Sequence, residues 1–290
     1  MITKQLIQRR TARLTGLLAV LALTAGLTAA PVSADGSDTY VALGDSFAAG
    51  QGASPYADAC LRSDQGYPAI LDTEPSVSLL ASKACTGATT SVVRETQLAS
   101  LDKKVDLVTV TAGGNDLDAI GALVTCTTDS AEACANALGQ KAYILQQATN
   151  NPAASPFFQG LLAMLREIQA KAPHADIYVT GYPLLFESGV DQMFETVNGL
   201  TLQLNQVIDS AVTTAASDKV RGRSGASIHY VDVSEAFAGH GIGSAQPWIV
   251  GPPPVCLASD TCGTEAEIFH PTATGYSQGY AESIKEALAR

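Results

Sequence analysis

The chain has 290 residues, a formal net charge of −11 and a pI near 4.7; 46% of it is hydrophobic and 16% charged. That hydrophobic share and length exclude a disordered chain. The acidic balance argues against nucleic acid and anionic membrane surfaces as electrostatic partners, and leaves neutral esters and lipids open as ligands.

The first feature in chain order is a leader. Lys4, Arg9, Arg10 and Arg13 form a basic stretch with no acid among them. An uncharged Leu- and Ala-rich run follows from Leu14 to Ala30, then Val32-Ser33-Ala34 with small residues at both ends. The pattern predicts a signal peptide over residues 1–34 and a secreted protein formed by a single domain over 35–290. The alternative, an uncleaved anchor, would be a short span, so no stable membrane insertion is expected after cleavage. Arg9-Arg10 leaves Sec and twin-arginine export both open. All six cysteines, at 60, 85, 126, 134, 256 and 262, come after the leader. An even number in an exported chain points to disulfides, and the spacings favour the sequential pairs Cys60–Cys85, Cys126–Cys134 and Cys256–Cys262. No Cys-x-x-Cys or Cys-x-x-His occurs to suggest zinc, and no metal or other cofactor is expected.

Short β-branched runs then alternate with longer helical patterns. Strands are predicted at Thr39–Leu43, Val105–Thr111, Ala175–Thr180 and Ile228–Val233. Helices are predicted at Phe157–Lys171, stopped by Pro173, at Asp191–Asp218 and at Thr274–Leu288. Unbroken apolar strands separated by helices imply a parallel α/β sheet with right-handed crossovers. A Pro-rich loop, Gln246–Thr264, precedes the last helix.

Sites in such sheets form at the carboxyl ends of strands. Gly44-Asp45-Ser46 ends the first predicted strand and Gly113-Gly114-Asn115-Asp116 the second. A serine in a tight turn offers a hydroxyl and its own N–H, and an asparagine at the neighbouring strand end offers an amide donor; these are parts of an acyl-transfer site. A base must come from His174, His229, His240 or His270. Residue chemistry alone leaves that choice open, although His270 has an acid, Glu267, three positions before it.

Taken in order, the blocks Ala42-Leu43-Gly44-Asp45-Ser46-Phe47-Ala48-Ala49-Gly50, Cys85-Thr86-Gly87-Ala88, Gly114-Asn115-Asp116 and Glu267-Ile268-Phe269-His270-Pro271 resemble the SGNH (GDSL-like) hydrolase superfamily, especially its secreted, three-disulfide actinobacterial lipases and esterases. The resemblance spans nearly the whole chain beyond the leader. It implies a three-layer α/β/α sandwich with a central parallel sheet, of flavodoxin-like type. It further implies Ser46 as nucleophile, His270 as base, and the N–H groups of Ser46 and Gly87 with the Asn115 amide as the oxyanion hole. The family's acid three residues before the histidine is usually Asp; here Glu267 stands in that place. The sequence leans towards a triad with Glu267, the alternative being a dyad in which the carbonyl of Ile268 receives the imidazole hydrogen. The expected activity is hydrolysis of small-molecule or lipid esters by a monomer without nucleic-acid partners. A sugar O-acetylesterase or phospholipase on the same scaffold, and a non-catalytic secreted binding protein, are the alternatives. An α/β-hydrolase is disfavoured because Gly44-Asp45-Ser46-Phe47-Ala48 lacks the final glycine of Gly-x-Ser-x-Gly and follows the first strand rather than a later one.

Overall fold

Among the described residues, five strands carry the fold: β1 (Asp38–Gly44), β2 (Val77–Ser82), β3 (Leu107–Thr111), β4 (Asp176–Thr180) and β5 (Ser227–Val231). They pair in parallel in the order β2-β1-β3-β4-β5. The computed structural model describes residues 36–220, 225–253, 264 and 266–290. The leader expected at 1–34 and the Cys256–Cys262 bridge lie outside the described residues.

β3 is buried at every position and β1 from Tyr40 onward, so the central strands are covered on both faces, as their unbroken apolar runs require. Among the described residues, eight α-helical segments flank the sheet: α1 (Ser46–Ala49), α2 (Tyr67–Leu71), α3 (Thr90–Val92), α4 (Ala119–Thr128), α5 (Ala131–Asn150), α6 (Pro156–Lys171), α7 (Gln192–Val220) and α8 (Glu282–Leu288). α3 to α7 pack against one another, while α1, α2 and the C-terminal helical segment form a second group. The expected three-layer α/β/α sandwich is the architecture observed. The chain runs from β1 outward to β2, then crosses back to β3 on the other side of β1. This strand order places a crevice outside the carboxyl ends of β1 and β3.

Three predicted helices are present within a few residues of their expected bounds, but the last one differs in kind. Gly275–Ala281 is π-helical and only Glu282–Leu288 is α-helical. The wider turn has a packing reason. A Cβ at Gly279 would run into the buried Phe237 ring, and Tyr276 and Tyr280 are wholly buried on the same segment. π-turns of this sort recur near functional sites, and this one begins five residues after His270.

Two of the expected disulfides are formed, Cys60–Cys85 and Cys126–Cys134. The first ties the loop after α1 to the end of β2's loop; the second joins α4 to α5.

Candidate active site

β1 delivers Ser46 through a turn that its last residues define. Gly44 has φ +126, and a Cβ there would collide with the Thr111 carbonyl of β3; a glycine alone permits that approach. The Thr111 oxygen accepts the Asp45 N–H at 2.9 Å. The Gln97 side chain meets the other polar groups of Gly44, accepting its N–H and donating to its carbonyl, each at 2.8 Å. Asp45 caps α1, its Oδ1 accepting the Phe47 N–H at 2.9 Å. Ser46 is the first residue of that helix and is buried.

His270 arrives 224 residues later. The strap that carries it is held by Phe269 N–H donating to Val250 O at 2.8 Å and Val250 N–H donating to His270 O at 2.9 Å. The ring rests beside Phe47, centroids 5.0 Å apart. Its Nε2 lies 2.8 Å from Ser46 Oγ and its Nδ1 2.9 Å from the Ile268 carbonyl. A carbonyl can only accept, so Nδ1 carries the hydrogen and Nε2 presents its lone pair to the serine. Burial lowers the imidazole pKa to about 4, with backbone hydrogen bonds pulling the other way. The ring is therefore neutral at pH 7.

Glu267 does not take the Nδ1 hydrogen, and the expected triad contact is corrected. Its Oε2 accepts the Thr264 N–H at 2.8 Å and the Thr264 hydroxyl at 3.0 Å; its Oε1 accepts the Tyr56 hydroxyl at 3.4 Å. The Thr264 N–H is the main reason its pKa falls below the usual value. Phe269, at φ +64, turns the chain so that the imidazole faces the carbonyl of Ile268 and not the carboxylate one residue earlier. A residue of that bulk in the left-handed region is strained. Glu267 instead braces a neighbour: the Tyr56 oxygen it contacts accepts the Gly52 N–H at 2.9 Å.

Asn115 follows β3 and lines one cavity with Ser46. One hydrogen of its amide is donated to Ala88 O at 3.0 Å, which leaves the second available. Gly87, at φ +74, is the residue before Ala88. Its loop is anchored to β1 by the Cys85 N–H on Gly44 O at 3.0 Å and to the loop after α1 by the Cys60–Cys85 bridge. The structure thus brings Ser46, His270, Asn115 and the Gly87 loop to one end of the sheet. The other histidines are elsewhere: His240 stacks on Trp248 with centroids 3.7 Å apart, and His229 on Tyr178 at 5.2 Å. Among the described residues no cluster of three His, Cys, Asp or Glu side chains is placed to hold a metal ion.

A buried network behind Ser46 escaped the sequence reading. The Tyr182 hydroxyl, just beyond β4, donates to Asp45 Oδ2 at 2.6 Å and accepts the Gly114 N–H at 2.9 Å. It joins the serine turn to the asparagine turn. Burial pushes the Asp45 carboxyl up to about 7, against the lowering effect of the Tyr182 and Phe47 hydrogen bonds. Tyr182 is fixed by Asn205 of α7, whose Oδ1 accepts the Tyr182 N–H and whose Nδ2 donates to the Tyr182 carbonyl, both at 2.8 Å. Asn198, seven residues earlier on the same face, grips Phe186 in the same way. Two asparagines seven apart beside an apolar stripe were the available signal.

Comparison with known proteins gives a consistent result. The GDSL-like Lipase/Acylhydrolase family matches residues 42–278. A lipase of Streptomyces rimosus is 31% identical over 290 residues, covering 97% of this chain and 99% of its own. Lipase 1 of Streptomyces coelicolor is 32% identical over 288 residues, covering 95% and 98%. Among solved structures, the extracellular lipase of Streptomyces rimosus superposes with a TM-score of 0.72 at 28% identity, covering 87% of this chain and 100% of that one. Phospholipase A1 of Streptomyces albidoflavus gives 0.70 at 29%, covering 86% and 99%.

Proposed function

The chain belongs to the GDSL-like lipase/acylhydrolase family and is a carboxylic ester hydrolase of the serine type; on that premise we propose that Ser46 is its nucleophile and His270 its general base. The observation that carries this reading is the 2.8 Å contact between Ser46 Oγ and His270 Nε2, with Nδ1 engaged by the Ile268 carbonyl. Ser46 Oγ attacks the ester carbonyl as Nε2 removes its proton. The tetrahedral oxyanion is received by the N–H groups of Ser46 and Gly87 and by the free amide hydrogen of Asn115, each such donor worth about 10²–10³ in rate. The imidazolium then returns the proton to the departing alcohol, which leaves an acyl group on Ser46. Water, deprotonated by the same nitrogen, releases the acid and restores the serine. Ile268 O keeps the imidazole in the required tautomer and accepts a stronger hydrogen bond once the ring is charged.

The substrates of this reading are acyl esters of lipids, phospholipids included. The apolar side chains of Phe47, Ile120, Leu123, Leu185 and Leu204 around Ser46 support it, as do the relatives named lipase and phospholipase A1. Residues 1–34 direct export and are removed, so the protein acts outside the cell. Two disulfides and the extracellular lipase among the similar structures support that placement. The test is a fluorophosphonate probe followed by peptide mapping. One adduct, on Ser46, with loss of p-nitrophenyl butyrate turnover in Ser46→Ala, is expected. An adduct on another serine, or turnover retained by that variant, overturns the assignment.

A further inference from the structure

Two of the proposed oxyanion donors sit on separate pieces of chain. Asn115 opens a single 3-10 turn after β3, Asn115–Leu117, and Gly87 lies on the loop between β2 and α3. An oxyanion is held by both only when each points at one spot from about 2.7–3.1 Å away, so the distance between the two segments must be fixed. Gly87 does not fix itself. It is exposed, at φ +74, and a Cβ there would meet nothing within 4 Å. A glycine in open space has the widest backbone freedom of any residue.

Asp116 spans the gap between the segments. Its Oδ2 accepts the Thr90 N–H at 2.9 Å and its Oδ1 accepts the Thr90 hydroxyl at 2.6 Å. Two parallel bonds to one residue restrain direction as well as distance. Thr90 is a firm anchor: it is the first residue of α3 and is buried. α6 packs so closely on it that a Cβ at Gly160 would stand 3.1 Å from its Oγ1. Asn115 adds a contact beside this one, its amide donating to Ala88 O at 3.0 Å. Gly87 is thus held upstream at Cys85 and downstream by the Asn115-Asp116 turn. The charge of Asp116 offers the reaction nothing, since a carboxylate next in chain to an oxyanion donor opposes negative charge developing there. Its hydrogen-bond geometry is what the site can use.

We propose that Asp116 is a positioning residue for ester hydrolysis: by gripping Thr90 it sets the Gly87 N–H and the Asn115 amide at the separation that a tetrahedral oxyanion requires. This rests on Ser46 as the nucleophile and on Gly87 and Asn115 as donors. The grip counts when the carbonyl oxygen has moved into the hole and gained charge. It counts little for the bound ester before attack, so its loss falls on kcat rather than on KM.

The test compares kcat and KM for p-nitrophenyl butyrate in the parent protein, Asp116→Ala and Asp116→Asn. Rates are expressed per serine titrated to completion with a fluorophosphonate, so misfolded protein is not counted. The alanine variant removes both contacts from an exposed position. The asparagine variant keeps both, since its Oδ1 accepts the Thr90 N–H while its Nδ2 donates to the Thr90 hydroxyl oxygen. The expected outcome is a fall in kcat of at least about tenfold in Asp116→Ala, part of the worth of one donor, with a smaller change in KM. In Asp116→Asn kcat should lie closer to the parent than to the alanine variant. A lesser fall in Asp116→Ala, a KM change as large as the change in kcat, or an asparagine variant closer to the alanine one overturns the proposal. Failure of the underlying reading shows separately: Asn115→Ala would then keep the parental kcat, or Ser46→Ala would still hydrolyse butyrate, whatever the Asp116 variants do.

Discussion

Replacing Tyr182 by Phe removes one oxygen and two hydrogen bonds at once. The hydroxyl donates to Asp45 at 2.6 Å and accepts from Gly114 at 2.9 Å, and all three residues are buried. A hydrogen bond to a charged acceptor contributes about 1.5–3 kcal/mol, and a buried N–H left without a partner costs about 1–3 kcal/mol. Together they predict a loss of roughly 3–5 kcal/mol when Asp45 is ionised. At about 2–4 °C per kcal/mol for a domain of this size, Tm should fall by roughly 6–20 °C. The loss depends on pH in a definite sense. The Tyr182 bond lowers the Asp45 pKa, and burial nevertheless holds it up near 7. Without that bond the pKa rises further, and a protonated Asp45 escapes most of the penalty. The variant should therefore be destabilised more at pH 8 than at pH 5.5. Thermal melts followed by circular dichroism at the two values provide the assay, with butyrate kinetics on the same samples. There kcat should drop more than KM rises, because the released Gly114 turn carries Asn115. A Tm within 2 °C of the parent at pH 8, or a larger loss at pH 5.5 than at pH 8, would refute the reasoning.

The remaining predictions concern the imidazole and the Asp45 carboxyl. Glu267→Gln should change kcat by less than about threefold, since Nδ1 is served by Ile268 O; a true triad acid would cost about 10⁴, and side-by-side kinetics with His270→Ala decide. The acid limb of kcat/KM should lie near pH 4 rather than 6.5, because burial keeps His270 neutral until then. The same group ties stability to pH: as pH falls from about 6.5 towards 4, the unfolded chain binds a proton that the folded one refuses, so His270 makes the fold less stable across that window. Asp45 acts in the opposite sense between about 4 and 7, where the folded chain keeps a proton the unfolded chain has released and stability falls as pH rises. A pH–rate profile on one short ester tests the first of these effects, and a limb at 6.5 would contradict it.

The central strands were legible because burial on both faces writes them as continuous apolar runs, and the helix at α6 because its apolar stripe ends at a proline. β2 was not: it is an edge strand whose exposure alternates, and Leu80 stands 62% exposed on it. α5 was also missed, since Ala, Gln and Asn dominate it and only Cys134, Leu138, Leu145 and Ala148 are buried. Ser46 and Asn115 could be found because reactive residues beside glycines at strand ends carry a local signal. Both candidate partners of Nδ1, Glu267 and the Ile268 carbonyl, could be named, but the choice between them could not be made. It depends on the backbone of Phe269 entering the left-handed region, which nothing in Glu267-Ile268-Phe269-His270 announces. Tyr182 was invisible for another reason: its function resides in contacts 137 and 68 residues away in sequence.

The separation of Ser46 from His270 has a consequence for timing. The nucleophile turn is complete once β1, β3 and Gln97 are in place, all within the first 111 residues. The base arrives only when the strap docks on Val250 and the Tyr276 hydroxyl reaches the Gln51 carbonyl at 2.8 Å. Contacts so distant in sequence form late, because the intervening chain must be ordered before they are rewarded. A nascent or refolding chain therefore passes through a long interval in which it holds the serine but no means of activating it. On the proposed roles of Ser46 and His270, ester hydrolysis should begin with the closing contact between the two ends of the domain, leaving the chain chemically silent towards surrounding acyl esters until its assembly is finished.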